Sequence, residues 1–255
     1  MASVENPHSW SNDGTAPPLV RLFAENPTIV AAQGEQPVRG SARCVEAAAW
    51  LVQHPGCPSY RMSMTLGLAE GSRRSTLSKL RWWLGAAPDG SLHLPLAYQG
   101  TVSLAPRVTS DLALMRRLVM GGIDHVPRER LEAALDLIQG PFLGNQRVRS
   151  HMWGWAEDTA RRLPRLVGQM ASRAAGLARA EDDWERFDWV RSRARNVLSE
   201  SELFEAMEPP SAIARGPRRW WPTSEPAPRF EVIRHQPVRV APDLGGKRGP
   251  FTIQP

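Results

Sequence analysis

Residues 73–85, RRSTLSKLRWWLG, constrain the fold of this chain more than any other stretch. On an α-helix of about 100° per residue, Leu77, Leu80 and Leu84 fall within one narrow arc, and Trp83 lies at its margin. The opposite side carries cations, hydroxyls and a second indole: Arg74, Ser75, Ser78, Lys79, Arg81 and Trp82. One face therefore predicts a buried seam, and the other predicts a surface that meets an anionic partner or only water.

The segments around this helix predict strands and helices in a defined order. They are a small hairpin (18–34), a helix (42–54), a weaker helix (59–69), the helix of residues 73–84 and a second hairpin (91–106) around Gln99-Gly100. Strands, three helices and a hairpin in this order are typical of a winged helix-turn-helix. In that fold the third helix enters the DNA major groove and the hairpin, or wing, lies near the phosphates.

From residue 108 onward the pattern becomes fully helical. Helices are predicted over 109–119, 128–140, 152–180, 182–199 and 199–207. The candidate N-caps are Thr109 or Ser110 and Asp182 or Asp183. Pro164 should kink the long helix or split it in two. Short links between the helices suggest a tetratricopeptide-like stack, although no 34-residue period is visible.

The fold class predicted is therefore mainly α. An α+β winged helix-turn-helix precedes an all-α, tetratricopeptide-like domain. The domain boundaries are a flexible leader (1–18), a winged domain (19–107), an all-α domain (108–208) and a Pro/Arg-rich, disordered tail (209–255).

The charge is unevenly distributed along the chain. The formal net charge is +6, and Lys79 and Lys247 are the only lysines, so nearly all cations are arginines. Residues 1–108 carry net +2, residues 109–208 net −1 and residues 209–255 net +5. The helical block is therefore not a nucleic-acid surface as a whole. The basic run 215–219 either adds non-specific DNA affinity or belongs to a solubilising end.

Enzyme, metal and membrane functions find no support in the sequence. No Ser/His/Asp arrangement, paired histidines, dinucleotide fingerprint or phosphate-binding loop is recognisable, so we expect no catalytic residues and no cofactor. Cys44 and Cys57, with His54, lack zinc-ligand spacing, so reduced thiols and no metal are expected. No signal peptide or membrane-spanning run is visible, and the expected compartment is the cytoplasm, with nucleoid association when DNA is bound.

Residues 19–207 resemble the bacterial transcriptional activator domain proteins, which include antibiotic-pathway regulators of actinobacteria. The matching stretches are ARCVEAAAWLVQHPG, RSTLSKLRWWLGAAPDGSLHLP, VTSDLALMRRLV, LEAALDLIQGPFLG and MWGWAED, in this order. The resemblance implies an OmpR-like winged helix joined to a helical activator domain, in a minimal version that stops near Met207. It also implies a DNA-binding transcriptional regulator whose helical domain forms a homodimer or contacts RNA polymerase.

The candidate site combines the third helix with the wing. The residues expected at double-stranded DNA are Arg73, Arg74, Ser75, Thr76, Ser78, Lys79, Arg81 and Trp82. The expected wing residues are Tyr98, Gln99, Gly100 and Thr101. The alternative function is a non-enzymatic protein–protein adaptor with a vestigial winged helix.

Trp82 stands where relatives more often carry a cation. Its indole either stacks on a deoxyribose, packs under the wing beside Tyr98 or forms a subunit contact, and we expect packing under the wing. Four further tryptophans, Trp153, Trp155, Trp184 and Trp189, line either a ligand pocket or, as we expect, the core of the helical domain.

Overall fold

The computed structural model describes residues 16–97, 99–144 and 152–208. The leader up to residue 15, wing residue Tyr98 and the tail from residue 209 lie outside these ranges. The described residues are mainly helical, with two small sheets. Within them, no helix is both long enough and apolar enough to cross a membrane.

The first predicted hairpin is confirmed. Strands β1 (Leu19–Arg21) and β2 (Thr28–Val30) pair antiparallel, with Leu19 opposite Val30. A third strand, β5 (Thr109–Ser110), pairs parallel with the other edge of β1, so the sheet order is β2-β1-β5. A strand that follows the predicted domain boundary at 107/108 thus belongs to the same sheet as the first strand of the chain.

Three helices follow the hairpin as predicted: α1 (Ser41–Gln53), α2 (Ser59–Leu66) and α3 (Glu70–Leu84). Gly67 ends α2 in a left-handed conformation (φ 61°), and three residues separate α2 from α3. The apolar faces of these helices pack into one core, where alanines of α1 leave room for the bulkier side chains of α2 and α3.

The second predicted hairpin is wrong in its pairing. Strand β4 (Thr101–Val102) pairs antiparallel with β3 (Cys57–Pro58), which lies just before α2, and residues 91–97 form no strand. Pro95 removes one backbone N–H from that segment. Arg81 donates to the carbonyls of Leu94 and Pro95, at 2.9 and 3.3 Å. These carbonyls therefore accept hydrogen bonds from a side chain rather than from the N–H groups of a neighbouring strand.

The second half of the described chain is built mainly from α-helices. They are α4 (Asp111–Leu118), α5 (Arg128–Asp136), α6 (Glu157–Ala180), α7 (Trp184–Arg195) and α8 (Glu200–Met207). Ser110 caps α4 by accepting from the N–H of Ala113, at 3.1 Å, and Asp183 caps α7 by accepting from the N–H of Arg186, at 2.9 Å. Of the predicted alternatives, Ser110 rather than Thr109 thus caps α4, and Asp183 rather than Asp182 caps α7.

Helix α6 is continuous through Pro164, so the predicted split is wrong. A proline inside a helix leaves the carbonyl four residues earlier, here that of Ala160, without its usual N–H donor. Packing outweighs this cost, because α6 lies against both α7 and α8. The buried side chains of α6 are mostly small: Ala160, Leu163, Val167, Met170, Ala171, Ala174, Ala175 and Ala178.

A buried carboxylate links α1 to the turn that precedes α6. Glu46 is almost completely buried, and its Oε1 accepts from the backbone N–H of Trp153 at 2.7 Å. Its Oε2 accepts from Arg43 at 2.6 Å. Trp153 has a positive φ of 70°, which a non-glycine residue rarely adopts. The Glu46 contact holds this backbone turn against α1.

Candidate nucleic-acid interface

The buried seam of α3 agrees with the predicted helical arc. Leu77, Leu80, Trp83 and Leu84 are all buried, and they pack with α1 in the core. Fixing one side of α3 in this way determines which side chains the helix presents outward.

The outward face of α3 carries hydroxyls, cations and one indole. Ser75, Ser78, Lys79 and Trp82 are exposed. Lys79 Nζ donates to the backbone carbonyl of Arg39 at 3.3 Å, so its charge stays uncompensated by any described carboxylate. This face offers hydrogen-bond donors and positive charge, which suit phosphate oxygens and base edges.

Arg74 is exposed, but its positive charge is paired with a carboxylate. Its guanidinium pairs with Glu70 one helical turn earlier, in an exposed ion pair. Such pairs stabilise a helix by only about 0.3–0.5 kcal/mol, so the pair can open for a stronger anionic partner.

Thr76 does not belong to the presented face, and that part of the prediction is wrong. It is buried, and its backbone carbonyl accepts from the Cys44 thiol at 3.8 Å. The reason is periodicity, because Thr76, Leu80 and Trp83 are spaced i, i+4 and i+7 along one stripe. Burial raises the pKa of Cys44 to about 11, which keeps this thiol protonated.

Two further predicted contacts are directed toward the protein itself. The Arg81 guanidinium donates to the carbonyls of Leu94 and Pro95, and it is only half-exposed. Arg73 is also half-buried, and it donates to Ser63 Oγ on α2 at 3.4 Å. The hydrogen-bond acceptors of both guanidinium groups are neutral oxygens, and Arg73 also lies 3.9 Å from a carboxylate oxygen of Glu70, so both arginines position neighbouring segments.

Trp82 is 76% exposed, so the expected packing under a wing is not formed by the described residues. Its expected neighbour, Tyr98, lies outside them. The adjacent Trp83 is buried, so the two indoles point to opposite sides of α3. An uncovered tryptophan beside Lys79 is an apolar element within an otherwise polar and cationic face.

The C-terminal end of α3 is clamped by the loop that follows β2. The N–H groups of Gln33 and Gly34 donate to the carbonyls of Leu84 and Trp83, at 3.3 and 2.9 Å. A Cβ at residue 34 would collide with the Trp82 carbonyl, so the loop approaches this closely only with glycine there. Gly85 then ends the helix with φ 71°. The clamp fixes the direction in which α3 leaves the core.

The described wing residues, Gln99, Gly100 and Thr101, form a turn and the start of a strand rather than a hairpin tip. Gln99 and Gly100 have φ angles of 49° and 77°, and Thr101 begins β4. The Gly100 carbonyl accepts from the N–H of Ser59 at 2.8 Å, at the start of α2. This turn therefore lies beside the helix that precedes α3.

Sequence reasoning missed the loop of residues 35–40. The Lys79 contact with the Arg39 carbonyl brings this loop beside α3, and both Arg39 and Val38 are exposed. The signal was the glycine at residue 40, which has φ 82° and turns the chain into α1.

The four tryptophans of the helical half do not share one environment. Trp153 is buried in the core, Trp155 and Trp189 are half-buried and pack against the core, and Trp184 is exposed, so core packing is wrong only for Trp184. Trp189 lies between the guanidinium groups of Arg186 and Arg193, 5.5 and 5.8 Å from its ring centroid. These contacts account for Trp189 without a ligand.

No protein-family model, no curated protein and no solved structure matches this chain.

Proposed function

We propose that the protein is a sequence-specific, DNA-binding transcription regulator whose helix α3 enters the major groove of double-stranded DNA. The observation that carries the proposal is the division of α3 into two faces. Leu80 and Trp83 are buried, while Ser78 and Lys79 are exposed, on a helix that follows α2 after only three residues. An α-helix with such a face fits the width of the major groove.

The exposed side chains divide by chemistry. Lys79 supplies positive charge for a phosphate or a guanine edge, and Ser75 and Ser78 supply hydroxyls that hydrogen-bond either. Arg74 becomes available when its exposed pair with Glu70 opens. Arg73 and Arg81 are half-buried as well as bound to neighbouring oxygens, unlike the exposed Lys79, so they contribute to the positive electrostatic field rather than to direct contact.

The resemblance to the bacterial transcriptional activator domain proteins supports a role for the helical half in forming a homodimer or in contacting RNA polymerase. A single small module makes few base contacts, so useful specificity requires a dimer or adjacent sites. The proposal places the protein in the cytoplasm, on the nucleoid when bound.

Selection of genomic fragments by the purified protein tests this proposal. A bound fragment should show an affinity that falls with salt, with a log–log slope of about −4 to −5 if each protomer neutralises about four to six phosphates. A slope near zero contradicts electrostatic binding to DNA.

The double substitution Ser78→Ala, Lys79→Ala locates the interface. It should weaken binding at least about tenfold and reduce the magnitude of the salt slope by about one. The control Arg191→Ala, Ser192→Ala removes one exposed cation and one exposed hydroxyl from α7 and should leave binding unchanged. Equal losses in the two variants would contradict the assignment to α3.

The second candidate is the protein–protein adaptor with a vestigial winged helix. It is favoured by the exposed Trp82 and by the commitment of Arg81 to backbone carbonyls. For an adaptor, the purified protein selects no genomic fragment above background, and Trp82→Ala abolishes capture of a protein partner while leaving the circular dichroism spectrum unchanged.

A further inference from the structure

A groove of about 520 Å³ lies between the end of α1, helix α2 and the 3-10 turn Gly154–Ala156. This volume is in the range of small-molecule sites, which are about 300–1,000 Å³. Its main lining side chains are Trp50, His54, Tyr60, Arg61, Met64 and Trp155. None of them belongs to the proposed DNA face.

One wall of the groove is aromatic and fixed. The rings of Trp50 and His54 stack with centroids 4.5 Å apart and planes at 17°, and the Trp155 ring meets His54 edge-on at 6.3 Å. The His54 Nδ1–H donates to the Trp50 carbonyl at 2.8 Å, which fixes the orientation of the imidazole ring. The wall is therefore preorganised for a flat ring.

The other wall is apolar and uncovered. Tyr60 and Met64 are one helical turn apart on α2, and they are 58% and 78% exposed. A phenol ring and a thioether side by side offer an adaptable contact for an aromatic ligand, because the methionine chain adjusts its shape and its sulfur interacts favourably with rings.

The charge at the groove is positive and unbalanced. Arg61 is exposed, and it forms no ion pair with a carboxylate among the described residues. No Asp or Glu lines the groove. A cationic ligand would be repelled here, while an anionic group on a flat ring would meet the guanidinium.

We propose that this groove binds a planar aromatic carboxylate of about two or three fused rings. The rings lie between the Trp155 side and the Tyr60–Met64 side, and the carboxylate faces Arg61. This inference goes beyond the proposed regulator and does not depend on it. Because the groove is lined both by α2 and by the turn that precedes α6, an occupant contacts both parts of the described chain.

Titration of the full chain, labelled with ¹³C at the methionine methyl groups, tests the proposal. The probe is 2-naphthoate, and its neutral counterpart is 2-naphthylmethanol. We expect the Met64 methyl signal, assigned with Met64→Leu, to shift and saturate with naphthoate at one site. The alcohol should bind about tenfold more weakly, because it cannot form the charge-assisted contact with Arg61.

Three variants make the result decisive. Arg61→Gln should erase the preference for the acid, and Thr65→Trp, at an exposed lining residue, should fill the groove and abolish binding. Arg191→Gln, at another exposed arginine on α7, should bind like the wild type. The proposal is overturned if the Met64 signal does not saturate, if Arg61→Gln keeps the preference, or if Thr65→Trp binds as well as the wild type.

Discussion

The Asp111 carboxylate accepts a hydrogen bond from the backbone N–H of Leu22 at 2.7 Å, across 89 residues of sequence. The same oxygen accepts from the N–H of Phe23 at 2.9 Å, and the other oxygen accepts from the N–H of Leu112 at 2.7 Å. One buried side chain thus satisfies two backbone donors at the end of β1 and one at the start of α4.

Asp111→Asn should therefore destabilise the protein by about 2–4 kcal/mol. The amide has a single acceptor oxygen, so its NH₂ group faces one of the three N–H donors and leaves it buried without a partner. Chemical denaturation at pH 5, below the raised pKa of Asp111, measures the change. Asp124→Asn, at an exposed position of the turn after α4, is the control, and a loss below about 0.5 kcal/mol at Asp111 would contradict the role assigned to it.

The same residue should make stability depend on pH. Burial raises the pKa of Asp111 to about 7, outweighing the three N–H donors, while the unfolded chain titrates near 3.8. A raised pKa contributes stability that is complete below pH 3.8 and is lost as the pH rises through 7. Wild-type stability should fall by about 2 kcal/mol between pH 5 and pH 8 relative to Asp111→Asn. If the free energies of unfolding of the two proteins changed with pH in parallel, this titration of Asp111 would be refuted.

The two neighbouring tryptophans of α3 should respond in opposite ways to truncation. Trp83→Ala should cost about 3–5 kcal/mol, because Trp83 is 3% exposed in the core. Trp82→Ala should change stability by less than about 0.5 kcal/mol and weaken binding to a selected DNA fragment. Thermal unfolding and a binding titration separate the effects, with Trp184→Ala as the exposed control. Large destabilisation by Trp82→Ala would mean that its indole is covered.

The clamp at the end of α3 predicts that glycine-to-alanine substitutions near this helix differ strongly in their effect on stability. Gly34→Ala should destabilise the protein by about 2–4 kcal/mol, because the new Cβ meets the backbone carbonyls of Trp82 and Trp83. Gly71→Ala, in the first turn of α3 with open space around it, should be neutral or stabilise by up to about 1 kcal/mol. Equilibrium denaturation of the two variants measures their free energies of unfolding. Similar values for both would show that the close approach of residue 34 to α3 does not require glycine.

Local patterns predicted the helices of this chain well. The leucine spacing in α3, the caps Ser110 and Asp183 and the first hairpin all follow from residues that are near one another in sequence. The outward face of α3 was largely predictable for the same reason. Thr76 was misassigned because its polarity was given more weight than its place on the buried stripe.

The remaining features depend on contacts that no short window contains. Strand β4 pairs with β3 across more than 40 residues, and Arg81 binds the segment expected to form the first strand of the wing. In the sequence, Glu46 and Asp111 look like ordinary helix residues. Their burial follows from hydrogen bonds with backbone N–H groups that are distant in sequence. Pro164 is tolerated because of neighbouring helices that local propensity does not include.

The parallel pairing of β5 with β1 has a consequence for synthesis on the ribosome. Leu19 and Val20 are made long before their partners Thr109 and Ser110. At about 5–20 residues per second, the first strand waits on the order of 5–20 s with one edge unpaired. Throughout that interval the nascent chain presents an open strand edge and the apolar side chains of Leu22 and Phe23. The open edge of β1 therefore stays unprotected until residues 109 and 110 have been synthesised. During this interval, β1 is the segment to which a chaperone that recognises extended apolar strands would bind.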